Sequence, residues 1–231
     1  EFATTGTLHL DIPPEEPQGN WEWSEEFVEG YIRRHRNSSH VIPYNEEEED
    51  DIVQGLGLAG GVEGKRVLTI GSMTPWLEGM LLARGALHVT VIEYGSIESR
   101  HPRLTSLTPE AARREYLGGR LGPFDGVVSF SSIEHSGLGR YGDGLNPWGD
   151  RQTLARAWCA CREGAFLLIG VPYVCEETEM QDREMVLWNA HRVYGERSYP
   201  YLAVNWDMVW RAQQCNEREH RMHLFARLPN P

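Results

Sequence analysis

The sequence predicts an α/β protein: a doubly wound, mostly parallel sheet with a helical extension at its N-terminal side. Three observations predict it. From Gly64 onward, short apolar runs alternate with segments of helical period, the pattern of strands joined by right-handed helical crossovers. One of these strands, starting at Phe124, breaks at the hydroxyls of Ser129, Ser131 and Ser132 and then presents Glu134 and His135, with glycines at 137, 139, 142 and 144 beyond. A helical segment and a second apolar strand, Ala165 to Pro172, follow. Open parallel sheets bind ligands outside the carboxyl ends of their strands, so this strand end reads as an active-site edge.

Element by element, residues 1–20 hold Pro13, Pro14, Pro17 and Gly19 and read as an irregular arm. Trp21 to Arg36 is amphipathic, with Trp23, Phe27 and Tyr31 or Ile32 at helical spacing. Asn45 is the expected cap of a further helix whose acidic run, Glu46 to Asp51, suits the positive end of the helix dipole and reads as a solvated start. These parts form an arm with helices, residues 1–63, packed on a core domain, residues 64–231. Within the core, Arg66 to Ile70 is a strand and Pro75 to Arg84 a helix that Gly85 stops. His88 to Glu93 is a strand. Thr108 caps a helix to Leu117 with Pro109 in its first turn. Phe124 to Ser129 is a strand, Asp150 to Arg162 a helix and Ala165 to Val171 a strand. Met185 to Tyr194 reads as extended, Asn205 to Gln214 as helical and His223 to Leu228 as a closing strand.

Bulk properties narrow the function. The 231 residues carry 34 acids against 22 bases, a net charge of −12. A duplex nucleic-acid surface needs a basic stripe, and an anionic membrane attracts basic segments, so neither partner is expected. A small or neutral substrate fits better. No apolar run approaches the ~20 residues of a membrane helix. The chain opens on Glu1-Phe2 where Met is expected, so an upstream signal or anchor is allowed for and the compartment stays open between cytoplasm and secretory lumen. Asn37-Ser38-Ser39 is a weak glycosylation sequon. Cys159, Cys161, Cys175 and Cys215 match no zinc spacing and read as free thiols, with Cys159 and Cys161 on different faces of one helix.

Candidate chemistry falls in three places. Val67 to Trp76 is a strand, a glycine turn at Gly71-Ser72-Met73 and a helix start, a geometry that lets a nucleotide-like ligand approach the backbone. Met73 and Trp76 stand where a dinucleotide fingerprint has its later glycines, and a purely structural turn would explain the segment equally well. Glu93 follows 22 residues after Gly71 at the end of the next strand, where an acid accepts hydrogen bonds from ribose hydroxyls. Beyond the strands lie Glu134, His135, Tyr141, Asp143 and His191. Either histidine suits a general base. Alternatively Glu134, His135, Asp143 and His191 hold a divalent cation that positions a diol. Trp148, Trp188, Trp206, Trp210, Tyr194, Tyr199 and Tyr201, late in the chain, point to a carbohydrate acceptor if they cap the site, and to core packing otherwise.

The run from Phe124 to His135, then a helix, then Arg162-Glu163-Gly164 and the strand to Pro172, resembles class I S-adenosylmethionine-dependent methyltransferases over roughly Gly64 to Pro172. The phrase SSIEHSGLGRYGD, Ser131 to Asp143, with Asn189-Ala190-His191-Arg192 downstream, resembles more narrowly a little-characterised, methyltransferase-like domain family of unknown function, from about Val67 to Tyr194. The resemblance implies a Rossmann-like fold and S-adenosylmethionine as cofactor. It implies Gly71 and Ser72, with Met73 and Trp76, along the methionine part and Glu93 with Tyr94 at the ribose. Ser131, Ser132 and Ile133 would form the floor beneath the sulfonium. The expected reaction is methylation of a hydroxyl on a sugar, glycan or small molecule, with His135 or His191 as base and Glu134 and Asp143 as further catalytic candidates. Two rivals stand beside it: a catalytically silent Rossmann-like domain that binds a nucleotide or a partner, and an NAD-dependent oxidoreductase, because Glu93 would serve either cofactor.

Overall fold

A computed structural model describes residues 7–9, 21–37, 40–174, 184–212 and 220–227. The sequon serines and Cys175 and Cys215 lie outside these. The described elements are β1 (Thr7–His9), β2 (Trp21–Trp23), α1 (Glu25–Asn37), α2 (Glu46–Leu58), β3 (Arg66–Ile70), α3 (Trp76–Ala83), β4 (His88–Ile92), β5 (Ile97–Ser99) and β6 (Leu104–Leu107). They continue with α4 (Pro109–Leu117), β7 (Phe124–Phe130), a 3-10 turn (Ile133–His135), α5 (Gly149–Cys159), β8 (Cys161–Pro172), β9 (Met185–Trp188), β10 (His191–Val193), α6 (Tyr199–Leu202), β11 (Trp206–Arg211) and β12 (His220–Arg227).

Seven strands form the main sheet in the order β11-β12-β8-β7-β3-β4-β6. From β8 to β6 every pairing is parallel, whereas β12 runs antiparallel to both β8 and β11. Successive side chains of a strand point to opposite faces, and both faces here are covered. Val67, Val128 and Leu168 pack with α1, α2 and α3 through Val28, Ile32, Ile52, Leu56 and Met80. Their neighbours Leu68, Val127, Leu167 and Ile169 pack with Leu154 and Ala157 of α5 and Tyr199 and Leu202 of α6. Burial on both faces is why these strands read as continuous apolar runs. The α/β, doubly wound, Rossmann-like arrangement expected from the sequence is therefore present.

The helix starts follow their capping chemistry. Asn45 Oδ1 accepts from the Glu48 amide at 2.8 Å and Glu48 Oε2 accepts from the Asn45 amide, a reciprocal capping box. Thr108 Oγ1 accepts from Ala111 N, with Pro109 opening α4. Gly79 of α3 sits against Tyr31 of α1, where a Cβ would crowd the Tyr31 side chain, so the two helices pack closely only with glycine there.

Four readings are corrected. Trp21–Trp23 is not helical but pairs parallel with β5; the helix starts at Glu25. The segment expected as a helix from Asn205 to Gln214 contains the strand β11, whose bulky and β-branched residues pair along β12. The helix expected to reach Arg162 ends at Cys159, so Cys161 belongs to β8 and not to the helix of Cys159; both thiols are free. The acidic run is no uniformly solvated start, because Glu48 and Glu49 are buried. Glu49 Oε2 accepts from Val41 N at 2.8 Å and lies 3.2 Å from His40 Nδ1, holding the loop that leads into α2. Among the described residues no helix is long and apolar enough to cross a membrane.

Candidate active site

Chain order places β4 and β6 on one side of β3 and β7 and β8 on the other, so the winding reverses between β3 and β7. A crevice at that reversal, outside the strand ends, is where doubly wound sheets take ligands. A cavity of about 800 Å³ opens there. Gly71, Ser72, Met73, Thr74 and Trp76 from the β3 end line it, with Glu93 and Tyr94 from the β4 end and Ser131, Ser132 and His135 from the β7 end.

Gly71 has φ +76°, and a Cβ on it would overlap the Ser132 hydroxyl. One glycine thus meets the β3 turn's need for a left-handed backbone and for close approach of the β7 end. The Gly71 amide donates to Ile92 O at 2.9 Å and Ser129 Oγ donates to Ile70 O at 2.8 Å, fixing the β3 end to both neighbours. Glu93 Oε2 accepts from Ser72 N and its Oε1 from Tyr94 N, at 2.7 and 2.6 Å. Burial raises its carboxyl above the ordinary value, and these amides only partly counter that. Beneath the turn, the wholly buried Glu78 accepts from Thr69 Oγ1 at 2.7 Å and Ser72 Oγ at 2.9 Å. Burial pushes its pKa up to about 7. In sequence Glu78 is an ordinary helix acid; only the strand register puts Thr69 and Ser72 over it.

The Ser131-to-Asp143 phrase and the Asn189-to-Arg192 phrase meet. His135 Nδ1 lies 2.5 Å from Ala190 O, and a carbonyl only accepts, so Nδ1 carries a proton, and in the neutral ring the lone pair is on Nε2. Arg192 is buried and donates to Glu134 O and Ser136 O at 3.1 and 2.6 Å, clamping the Glu-His turn; its Nε lies 3.6 Å from Asp150. Ser131 holds φ +49°, an unusual conformation for a side chain-bearing residue, and its hydroxyl bonds the Tyr44 phenol, which burial shifts upward. Tyr44, from the loop before α2, lines the cavity with Trp21, Phe130 and Tyr141.

Other candidates stand elsewhere. Ile133 is packed in the core beside Leu154 and does not line the cavity. Glu134 is buried behind it. His191 is not part of the lining; its ring packs edge-on to His135 with centroids 6.1 Å apart, and burial lowers its pKa. Asp143 accepts from the Gly137 and Tyr141 amides and orders the glycine loop. Among the described residues no group of three or more His, Cys, Asp or Glu side chains is disposed to hold a metal ion, so the four-residue cation set does not assemble. None of the seven late aromatics lines the cavity; Trp206, Tyr194 and Tyr199 are core residues of the α5 face. Sequence reading also missed Tyr44, Glu78, Arg192 and His220. His220 Nδ1 lies 3.2 Å from Glu48 Oε1 and its Nε2 3.5 Å from Glu134 Oε1.

A family model described as "Caenorhabditis protein of unknown function, DUF268" matches residues 64–228. The chain belongs to that family. No curated protein sequence matches. Among solved structures, the N-methyltransferase NodS from Bradyrhizobium japonicum WM9, in complex with S-adenosyl-L-homocysteine, is 14% identical. The match covers 87% of this chain and 98% of that one at a TM-score of 0.54. The 1,6-didemethyltoxoflavin-N1-methyltransferase from Burkholderia thailandensis, with bound 1,6-didemethyltoxoflavin and S-adenosylhomocysteine, is 13% identical. It covers 87% of each chain at 0.53. TehB from Haemophilus influenzae is 10% identical, covering 87% of this chain and 67% of that one, at 0.52. The DUF268 chain shares with these proteins the Rossmann-like fold of class I methyltransferases.

Proposed function

We propose that the protein is an S-adenosylmethionine-dependent methyltransferase that acts on a hydroxyl of a small molecule or sugar. The observation that carries this reading is the crevice itself. The Gly71 turn, Glu93 at the adjacent strand end and His135 line one cavity at the winding reversal of a fold whose neighbours NodS and the toxoflavin enzyme hold S-adenosylhomocysteine. The residues fit the cofactor. The bare Gly71 turn lets its backbone and the Ser132 end of the cavity wall come together, and the Glu93 carboxylate, oriented by three amides, has lone pairs left for ribose hydroxyls. Bound S-adenosylmethionine supplies a methyl group activated on a sulfonium.

The chain's own residues position the acceptor and manage its proton. Tyr44, Trp21 and Tyr141 offer ring faces on which a sugar or aromatic acceptor can stack. His135 Nε2, unprotonated while Nδ1 is tied to Ala190 O, takes the hydroxyl proton. The imidazolium so formed lies 3.6 Å from Glu134 Oε1, which stabilises its charge. A base at the wall supports a hydroxyl acceptor, since a neutral amine attacks without prior proton removal.

The test is calorimetric titration with S-adenosylhomocysteine and with NAD, followed by turnover of a panel of sugars and phenols with labelled methyl donor. The reading expects micromolar S-adenosylhomocysteine binding. It also expects His135→Gln to keep that affinity while rate falls by roughly 10²–10⁴-fold. Binding of NAD alone, or full activity in the His135 variant, overturns it.

A further inference from the structure

We infer that His220 is a positioning residue: held as an imidazolium between Glu48 and Glu134, it supplies the positive charge that buried Glu134 would otherwise draw as a proton onto the Nε2 of His135. The inference rests on the reading of His135 as the base and extends it to a residue outside the cavity.

Glu134 is wholly buried, and neither of its carboxylate oxygens has a hydrogen-bond partner among the described residues. Two imidazoles face the same oxygen, Oε1: His220 Nε2 at 3.5 Å and His135 Nε2 at 3.6 Å. A buried carboxylate left with no counter-charge takes up a proton. That proton would come to rest between Glu134 and His135, either on Nε2 or on the carboxyl facing it. In both cases the lone pair that a base needs is blocked.

His220 removes this problem because its other nitrogen is anchored. Nδ1 lies 3.2 Å from Glu48 Oε1, and the His220 amide donates to that same oxygen at 3.0 Å. A single imidazole between two carboxylates binds both protons. Burial works to lower its pKa, yet Glu134 and Glu48 outweigh burial and push it up to about 9. Burial likewise works to raise Glu134, and the imidazoles more than reverse that. The other titratable or charged groups around the relay are Tyr44, whose ring packs on His220, Tyr141 and His191 against His135, Arg140, Arg192, whose guanidinium binds the Glu134 backbone carbonyl and not its carboxylate, and Asp51, which interacts with Glu48 and Arg221. Tyr44 stays neutral, because burial raises its phenol. His191, lowered by burial first, adds no standing charge at neutral pH. His220 is therefore the cation set directly against Glu134.

The relay also joins distant parts of the chain: Glu48 comes from α2, Glu134 from the turn after β7 and His220 from β12. This gives the α2 acidic run a role beyond helix capping.

The test is a pH titration of the histidine side chains by NMR on the full chain without acceptor, in the wild type and in Glu134→Gln and His220→Gln. His220 should stay doubly protonated through neutral pH. Glu134→Gln should lower the midpoints of both His220 and His135, and His220→Gln should raise that of His135. If His220→Gln does not fold, the isosteric Glu134→Gln and the wild-type His220 midpoint decide alone. A His220 midpoint at or below the ordinary 6.5, or a His135 midpoint that neither variant moves, overturns the relay. These readings need no turnover, so they are separate from failure of the base assignment, which appears only as full activity in the His135 variant.

Discussion

Placing alanine at Gly71 perturbs the one position where the β3 turn and the β7 end come together. Two penalties add. Gly71 holds φ +76°, and an L-residue in that left-handed region costs about 1–2 kcal/mol. The new methyl also overlaps the Ser132 side chain, and relief of such overpacking typically costs about 1–3 kcal/mol. The sum is about 2–5 kcal/mol, which for a domain of this size lowers Tm by roughly 4–20 °C. The methyl forces apart Gly71 and Ser132, both of which line the cavity, so S-adenosylhomocysteine affinity should fall about tenfold or more, worth at least about 1.4 kcal/mol. Thermal unfolding and calorimetric titration read the two effects separately. A double variant, Gly71→Ala with Ser132→Gly, removes the overlap but not the backbone strain. It should recover only the steric share, a coupling of about 1–3 kcal/mol in a double-mutant cycle. A Tm and an affinity both unchanged in Gly71→Ala would refute the reasoning, since each penalty is read from the same backbone geometry.

Glu93→Ala, folded, should weaken S-adenosylhomocysteine by about 1.5–3 kcal/mol, the range for hydrogen bonds to a charged group; equal affinity removes Glu93 from the site. Glu78, raised to about 7 against an ordinary 4.5, binds its proton in the fold where the unfolded chain has lost it. Stability therefore falls as pH rises from about 4.5 to 7 and stays lower above, by about 3 kcal/mol at full ionisation. Denaturant melts at pH 5 and pH 8 should show Glu78→Gln gaining on the wild type at the higher pH, and a constant gap contradicts this. Glu47→Gln, at an exposed position, should change stability by about 0.5 kcal/mol or less. Glu48→Gln should cost about 1–3 kcal/mol because it removes the charge facing His220 and sets an amide NH2 against a backbone N–H of either His220 or Asn45; equal costs in urea melts would show that the acidic run acts only as a helix start.

The alternating strands and helices were legible because both faces of the sheet are buried, which writes continuous apolar runs into β3, β4, β7 and β8. Capping chemistry made Asn45 and Thr108 legible in the same way, since cap and partner lie within three residues. The strand β11 was not. Its exposed Met208 and Val209 alternate poorly, a bulge breaks its register, and its partner β12 lies beyond residues 213–219. The part of the cavity wall proposed to hold the cofactor, Gly71 with Glu93, follows from local strand-end logic. The wall at the β7 end does not, because Tyr44 and Arg192 act across 87 and 58 residues on Ser131 and Glu134, distances no periodicity encodes. The late aromatics misled for the same reason: their composition suits a sugar site, but Trp206 and Tyr199 serve the α5 face as core.

The antiparallel placement of β12 between β8 and β11 has a consequence for how the molecule can open. Met222 and Leu224 belong to the α1–α3 layer, whereas Phe225 belongs to the α5–α6 layer. His220, at the strand's start, closes the contact from Glu48 to Glu134. One strand is thus shared by two apolar layers and a buried charge. Peeling it away exposes both layers at once and strands two carboxylates without their cation. Partial opening along this edge is therefore expensive, and fluctuations of β12 are coupled to the whole fold rather than confined to a fraying margin. The proton inventory next to His135 is consequently as durable as the sheet, and it is lost only when the sheet comes apart.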